Sequence, residues 1–237
     1  MDAKGSNRTL FAMLIDPDKK PDEVFYERVL NASKAGVNLF FVGGSLLQDD
    51  FLEQTVDVLK SVSNVPVVLF PGSAMQITKN ADAILFLSLI SGRNPDLLIG
   101  QQVVAAPYVK KSGLESIATG YMLIDGGTMT TAHYISQTRP IPSSNIAVAV
   151  NTALAGEMLG LSAIYLDCGS GAKAPVSADM IRAVSEAVDI PVIVGGGIRT
   201  THEVESAAKA GATVVVVGNA LEENPSLLQS LIASATG

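Results

Sequence analysis

Cysteine is nearly absent: Cys168 is the only one in 237 residues. An intramolecular disulfide is therefore excluded, and the composition suits a reducing compartment. Histidine is almost as scarce. With only His133 and His202 beside one cysteine, the chain cannot build a His/Cys zinc site by itself. A hard cation held by carboxylates and substrate phosphates is left open. No uninterrupted apolar run approaches a membrane span, and Met1-Asp2-Ala3-Lys4-Gly5 does not read as a signal peptide. A cytoplasmic protein with no transmembrane segment is expected. Positive charge is in deficit, with 16 Lys and Arg against 23 Asp and Glu, and the net charge of -7 argues against a nucleic-acid partner.

What the chain does have is apolar content, 48% of its residues, enough for one large core. Apolar strand-like runs alternate with amphipathic helix-like runs from end to end, which is the grammar of a parallel sheet covered by helices. Eight strands are predicted, near 10–15, 37–42, 66–70, 83–87, 118–124, 162–167, 191–194 and 213–217. Runs such as Val67-Val68-Leu69-Phe70 suit strands buried on both faces. Eight such strands close into a barrel, so the expected fold is a single α/β domain over 1–237, a (β/α)8 TIM barrel. No second domain and no low-complexity linker is visible.

The helices carry punctuation. Pro21 suits a first helical position and Gly36 a helix stop. Thr200 with Glu203 makes a capping box, and Ser177 can cap the helix containing Ile181, Val184 and Val188. Lys34-Ala35-Gly36 and Lys209-Ala210-Gly211 echo one another ahead of the second and eighth strands, as repeated β/α units would. One unit is irregular. Only Pro71 to Asp82 separates the third strand from the fourth, and that stretch is too short and too poorly patterned for a full helix. A missing or reduced third helix is expected, leaving an apolar gap in the barrel wall.

Working residues in such barrels sit at the C-terminal ends of strands. Here those ends are Asp16, Gly43-Gly44-Ser45, Asp125, Asp167, Gly195-Gly196-Gly197 and Gly218-Asn219. Glycines after two adjacent strands let backbone N–H groups approach phosphate oxygens, helped by the helix starts at Thr200 and just after Asn219. The same glycines could serve only as tight turns. Asp16, followed by Pro17, suits Mg²⁺ shared with a diphosphate, or merely a turn. Ser45 could offer a hydroxyl to metal or phosphate, or cap a helix. Asp167 ends Ile164-Tyr165-Leu166-Asp167-Cys168-Gly169-Ser170-Gly171, an apolar strand running into a glycine-rich turn. Apolar neighbours should raise its pKa, making it the candidate general base, unless it only binds turn N–H groups. Cys168 reads as a small buried thiol, His133 as a surface or lid histidine, and His202 as solvated in the first turn of a helix. Lys19, Lys79, Arg93 and Arg199 could each reach a phosphate.

Together these residues resemble the geranylgeranylglyceryl phosphate synthase family, which includes the bacterial heptaprenylglyceryl phosphate synthases. The likeness runs from Leu14-Ile15-Asp16-Pro17-Asp18-Lys19 to Val217-Gly218-Asn219. It is most specific at Tyr165-Leu166-Asp167 with Gly169-Ser170-Gly171, and at Phe41-Val42-Gly43-Gly44-Ser45. The short Pro71–Asp82 link also fits, since that family's barrel lacks a regular third helix. The resemblance implies a prenyltransferase that joins a long prenyl diphosphate, geranylgeranyl by expectation, to sn-glycerol 1-phosphate with Mg²⁺ in ether phospholipid synthesis. Asp16 and Ser45 match its magnesium positions. Tyr165, Leu166, Asp167, Cys168, Gly169, Ser170, Gly171, Gly196, Gly197, Gly218 and Asn219 match its glycerol-phosphate contacts. Asp167 stands where the family usually carries a glutamate, one methylene longer, a difference in reach of roughly 1 Å. Leu14 takes the place of a lysine found in one branch, which points to the other branch. A homo-oligomer and a transient contact with a membrane surface are further expectations. The prenyl groove is expected near Phe86, Leu87, Leu89 and Ile90. Two other readings stay open: a phosphosugar isomerase or cyclase barrel of the histidine-biosynthesis type, with Asp16 and Asp125 as its acids, and a non-catalytic phospholigand-binding barrel.

Overall fold

The computed structural model describes residues 8–44, 49 and 51–236. Eight parallel strands close into a barrel in chain order: β1 Leu10–Ile15, β2 Leu39–Val42, β3 Val67–Leu69, β4 Ala83–Leu89, β5 Glu115–Leu123, β6 Ala163–Asp167, β7 Val192–Gly195 and β8 Val214–Val217. β8 closes on β1 through Leu10 opposite Val214 and Met13 opposite Val217. The expected barrel is thus observed, with strand ends within a few residues of those read from the sequence.

Side chains alternate across each strand, which divides the core in two. Ala12, Phe41, Val68, Leu85, Tyr165, Ile193 and Val216 fill the barrel interior. Phe11, Met13, Phe40, Leu69, Leu166, Val194 and Val217 pack outward under the helices. Each fully buried large apolar side chain stabilises the fold by about 1.5–3 kcal/mol. Because the strands are covered on both faces, they carry no polar stripe, which is why they read as continuous apolar runs.

The outer helices are α1 Glu23–Ala35, α2 Leu52–Val62, α3 Gln101–Ser112, α4 Thr131–Ser136, α5 Ile146–Met158, α6 Ala178–Ala187, α7 Thr201–Lys209, the short α8 Asn219–Glu223 and α9 Leu228–Thr236. Their ends obey local chemistry. Gly36 closes α1 in the left-handed region, its N–H reaching the Ala32 and Ser33 carbonyls. Ser177 caps α6 by accepting from the Met180 N–H. Thr200 and Glu203 form the expected capping box. Pro21 corrects the sequence reading: it lies outside α1, whose start is capped by Asp22 accepting from the Phe25 N–H at 2.8 Å. An Asp one residue before the helix satisfies an orphan N–H that proline cannot.

No helix joins β3 to β4, as the short link demanded. The chain instead runs through turns over Pro71–Asp82. After β4 a single π-turn, Asp96–Gly100, leads into α3, and Pro107 sits inside α3. Among the described residues, no helix is long and apolar enough to cross a membrane.

Candidate active site at the C-terminal mouth of the barrel

Strand parity aims the acids inward. Asp16 follows Ala12 and Leu14 on the inner side of β1, and Asp167 follows Ala163 and Tyr165 on the inner side of β6. Both line one cavity of about 320 Å³ at the C-terminal ends of the strands. Gly196, Gly197, Gly218, Asn219, Ser170 and Gly171 share it. The structure thus brings together the predicted acids and the glycine edge. Ser45 lies outside the described residues.

Asp167 is held from two sides. Its Oδ2 accepts from the Tyr121 hydroxyl at 2.5 Å, and its Oδ1 accepts from the Gly169 N–H at 2.7 Å. Only 6% of the residue is exposed. Burial pushes its carboxyl above the usual carboxylate range; the two hydrogen bonds and the nearby His133 pull the other way. Burial and the Asp167 charge hold the Tyr121 phenol well above its ordinary value of 10, so Tyr121 stays a proton donor. Gly196 makes the carboxylate's fit possible. Its φ is 78°, and a Cβ there would sit 2.4 Å from Asp167 Oδ1.

Tyr121 was not singled out in the sequence. The register that places it is visible only in the structure: β5 pairs with β6 so that Tyr121 faces Tyr165, one pleat below Asp167. Phe70 was missed in the same way. Its ring stacks on Tyr165 at 4.9 Å, and Tyr121 meets Tyr165 edge-on at 5.5 Å. All three rings line the cavity.

Asp16 is open to the cavity but partly desolvated. Burial first, then the like charges of Asp18 and Glu222, push its pKa up to about 6. A Cβ on Gly44 would lie 3.1 Å from both Asp16 carboxylate oxygens, so the glycine leaves space over them. A hard oxygen donor in surplus negative charge, open to the cavity, fits a magnesium ion. Among the described residues no group of three or more His, Cys, Asp or Glu is placed to hold a metal ion.

Other predicted residues fall differently. Ser170 donates to Asn219 Oδ1 at 3.0 Å, linking the turns after β6 and β8. Leu166 and Cys168 are fully buried in the outer layer and do not line the cavity. Gly169 also lies behind the lining, serving Asp167 through its N–H. The thiol of Cys168 is pushed up to about 12, chiefly by burial, as suits a packing residue. Of the four cations considered for phosphate, Arg199 alone lines the cavity, its guanidinium braced by the Ala172 and Gly197 carbonyls. His202 is exposed in the first turn of α7, as expected. His133 is not a surface residue: it is 5% exposed, because α4 folds back against the β6 turn. Asp125 is exposed, accepts from the Gly127 N–H at 2.9 Å and stays out of the cavity.

The apolar end of the cavity passes through the barrel wall. Leu85 and Leu87 point to the interior and Ile84 and Phe86 to the outside, yet all four line it. A cavity touching both faces of β4 must run around that strand, through the space the missing helix would fill. Leu89, Leu97, Gln102 and Ala105 continue it. Ile90, expected in this groove, turns away and packs toward Gly120 and Gly156.

A profile described as the PcrB family matches residues 5–235. A geranylgeranylglyceryl phosphate synthase of Spirosoma linguale is 53% identical over 230 residues, covering 97% of this chain and 92% of the relative. One from Korarchaeum cryptofilum is 41% identical over 226 residues, covering 95% and 93%. Among solved structures, (S)-3-O-geranylgeranylglyceryl phosphate synthase from Thermoplasma acidophilum, in complex with its substrate sn-glycerol-1-phosphate, superposes with a TM-score of 0.92. It is 31% identical and covers 99% of this chain and 95% of that one. With nearly its whole length matched at these identities, the chain belongs to the PcrB family, that of the geranylgeranylglyceryl phosphate synthases.

Proposed function

We propose that the protein is a prenyltransferase, working in the cytoplasm, that joins a long prenyl diphosphate to sn-glycerol 1-phosphate and releases diphosphate. One observation carries this reading. A single cavity has a buried carboxylate and a glycine edge at one end and an apolar passage through the barrel wall at the other. That shape accepts a small polar phosphate and a long apolar chain with their reacting ends together.

The phosphate of the acceptor is assigned to the backbone of Gly196, Gly197, Gly218 and Asn219, with Arg199 beside it. This places the glycerol hydroxyl toward Asp167. The allylic C–O bond of the donor breaks and its electron pair leaves with the diphosphate. The hydroxyl oxygen bonds to the prenyl C1, and its proton goes to Asp167. Tyr121 keeps the carboxylate aimed, and the rings of Phe70 and Tyr121 line the cavity in which positive charge grows on the carbon. Asp16, with Ser45 by resemblance, would hold Mg²⁺. When bound, that ion would neutralise the charge on the departing diphosphate.

Asp125 decides against the isomerase alternative, since it makes a turn away from the cavity that such chemistry would need it to enter. The test is a product assay with sn-glycerol 1-phosphate, a ladder of prenyl diphosphates and Mg²⁺, read by mass spectrometry. A prenylglyceryl phosphate formed with metal and not without it is the expected result. No product from any chain length would sink the reading.

A further inference from the structure

His133 occupies an unusual place. It is the third residue of α4, where helices commonly carry Glu or Gln to accept from the backbone N–H of the cap. Here the imidazole does that work. Its Nδ1 accepts from the Thr130 N–H at 3.2 Å and lies 3.2 Å from Thr130 Oγ1. A ring nitrogen that accepts an N–H is unprotonated, so the proton of the neutral ring is on Nε2. Nε2 is itself buried without a hydrogen-bond partner. Leaving a donor so placed costs about 1–3 kcal/mol, so packing alone does not account for a histidine here.

Thr130 in turn touches the turn that holds Asp167. Gly169 sits so close that a Cβ on it would lie 2.3 Å from Thr130 Oγ1. The contacts form a chain: His133 Nδ1 to Thr130, Thr130 against Gly169, the Gly169 N–H to Asp167 Oδ1. The other face of α4 contributes Ala132, Ile135 and Ser136 to the cavity.

We propose that His133 is an acid-sensitive positioning residue for Asp167: neutral, it clamps Thr130 onto the Gly169 turn, and a proton on Nδ1 opens the clamp. The protonated nitrogen would be a donor facing the Thr130 N–H, so the bond cannot survive. The role of Asp167 rests on the function proposed above; the clamp itself does not. Burial pulls the pKa of His133 below 6.5, while the charges of Asp167 on β6 and Asp125 after β5 oppose that pull. The Cys168 thiol stays neutral in this range, and Lys173, beside Gly127, is exposed. The clamp is therefore closed at neutral pH and opens in mild acid.

Two measurements test this. In the first, the full chain with labelled imidazole nitrogens and backbone amides is titrated by NMR. His133 should show the Nε2–H tautomer and titrate below pH 6.5, and the Gly169 amide should move with the same midpoint. In His133→Gln, which keeps an acceptor but does not titrate, that movement should vanish. A Gly169 amide indifferent to His133, or the Nδ1–H tautomer, overturns the clamp whether or not the chain transfers prenyl groups. In the second, kcat is followed against pH. His133→Leu should lower kcat at least tenfold at neutral pH, with the gap closing in acid where the clamp of the unsubstituted enzyme is itself open, and His133→Gln should recover most of the neutral-pH loss while extending activity to lower pH than the unsubstituted enzyme. An identical acid limb in His133→Gln and the unsubstituted enzyme rejects the proposal. If no form makes product, the proposed function fails, and the NMR result still decides the clamp.

Discussion

Asp167 and Asp16 are both acids with raised pKa values, but for different work. Asp167 is buried among fixed donors, so replacing it by Asn preserves most of the packing and removes the proton acceptor. Asp167→Asn should lower kcat by about 10²–10⁴-fold with a smaller change in KM, measured by initial rates. Asp16 faces like charge at the mouth, and its cost appears in stability. Its folded pKa of about 6 exceeds the ordinary 3.8, so the folded chain binds more protons between these values. Stability therefore falls as pH rises from about 4 to 6, and the ionised group is a net burden at neutral pH. Asp16→Asn should raise the melting temperature at pH 7 in metal-free buffer, by an amount equivalent to less than ~1 kcal/mol given the group's exposure, and change little at pH 3.5. The same substitution should remove most activity. Equal melting temperatures at pH 7 would show that Asp16 carries no such strain. These two acids were legible in the sequence because each ends an apolar strand at a fixed parity. Tyr121 and Phe70 were not, because which inward residues share a level depends on pairing register between strands, and apolar runs do not encode register. His133 was misread because a polar loop can fold inward when its polar atoms find one another.

At the level of elements, the turns after the strands separate two uses of glycine. Gly196 and Gly171 both have positive φ, but a Cβ on Gly196 meets Asp167 and Gly169 at 2.4 and 2.5 Å, whereas one on Gly171 meets nothing within 4 Å. Gly171→Ala should therefore cost only the backbone strain, about 1–2 kcal/mol in denaturant melts, and leave kcat within a few-fold. Gly196→Ala should cost more and displace Asp167, lowering kcat/KM by at least ~100-fold. Equal effects of the two would mean that Gly196 is only a turn. The absent helix between β3 and β4 was readable from the length of the link alone. The course of the passage around β4 was not, since it depends on both faces of the strand meeting one cavity. Ala105 on α3 lines the far part of that passage and is 8% exposed, so a large side chain there has no other space. Ala105→Trp should shift preference to shorter prenyl diphosphates, read as kcat/KM across the ladder. An unchanged preference would place the chain elsewhere.

For the whole molecule, closing eight strands removes every sheet edge, so association must use helices or loops. We propose that α3 supplies the face for it. α3 buries Ala105 and Val109 against the barrel while exposing Val103, Val104 and Tyr108 by 65%, 55% and 63%, with Ile99 just ahead at 61%. A helix apolar on both sides is ordinarily covered on both. A second apolar set is exposed elsewhere, Met75 and Met129 outside the helices and Tyr134 and Ile135 on α4, but Ile135 lines the cavity, so a second copy seated there would obstruct entry. The α3 face is therefore the one expected to pair copies of the chain, leaving the mouth free for a passing contact with a lipid surface. Charge bears on the choice as well. With a net charge of -7, two copies repel at long range, so an apolar contact between them would tighten as added salt screens that repulsion. Val104→Lys with Tyr108→Lys places two like charges in that contact and should raise the dissociation constant at least ~100-fold, read by analytical ultracentrifugation across a dilution series. Binding to neutral phosphatidylcholine vesicles should survive those changes and fall when Tyr134 and Ile135 become Ser. If the α3 variant sediments as the unsubstituted chain does, self-association, where present, uses another face.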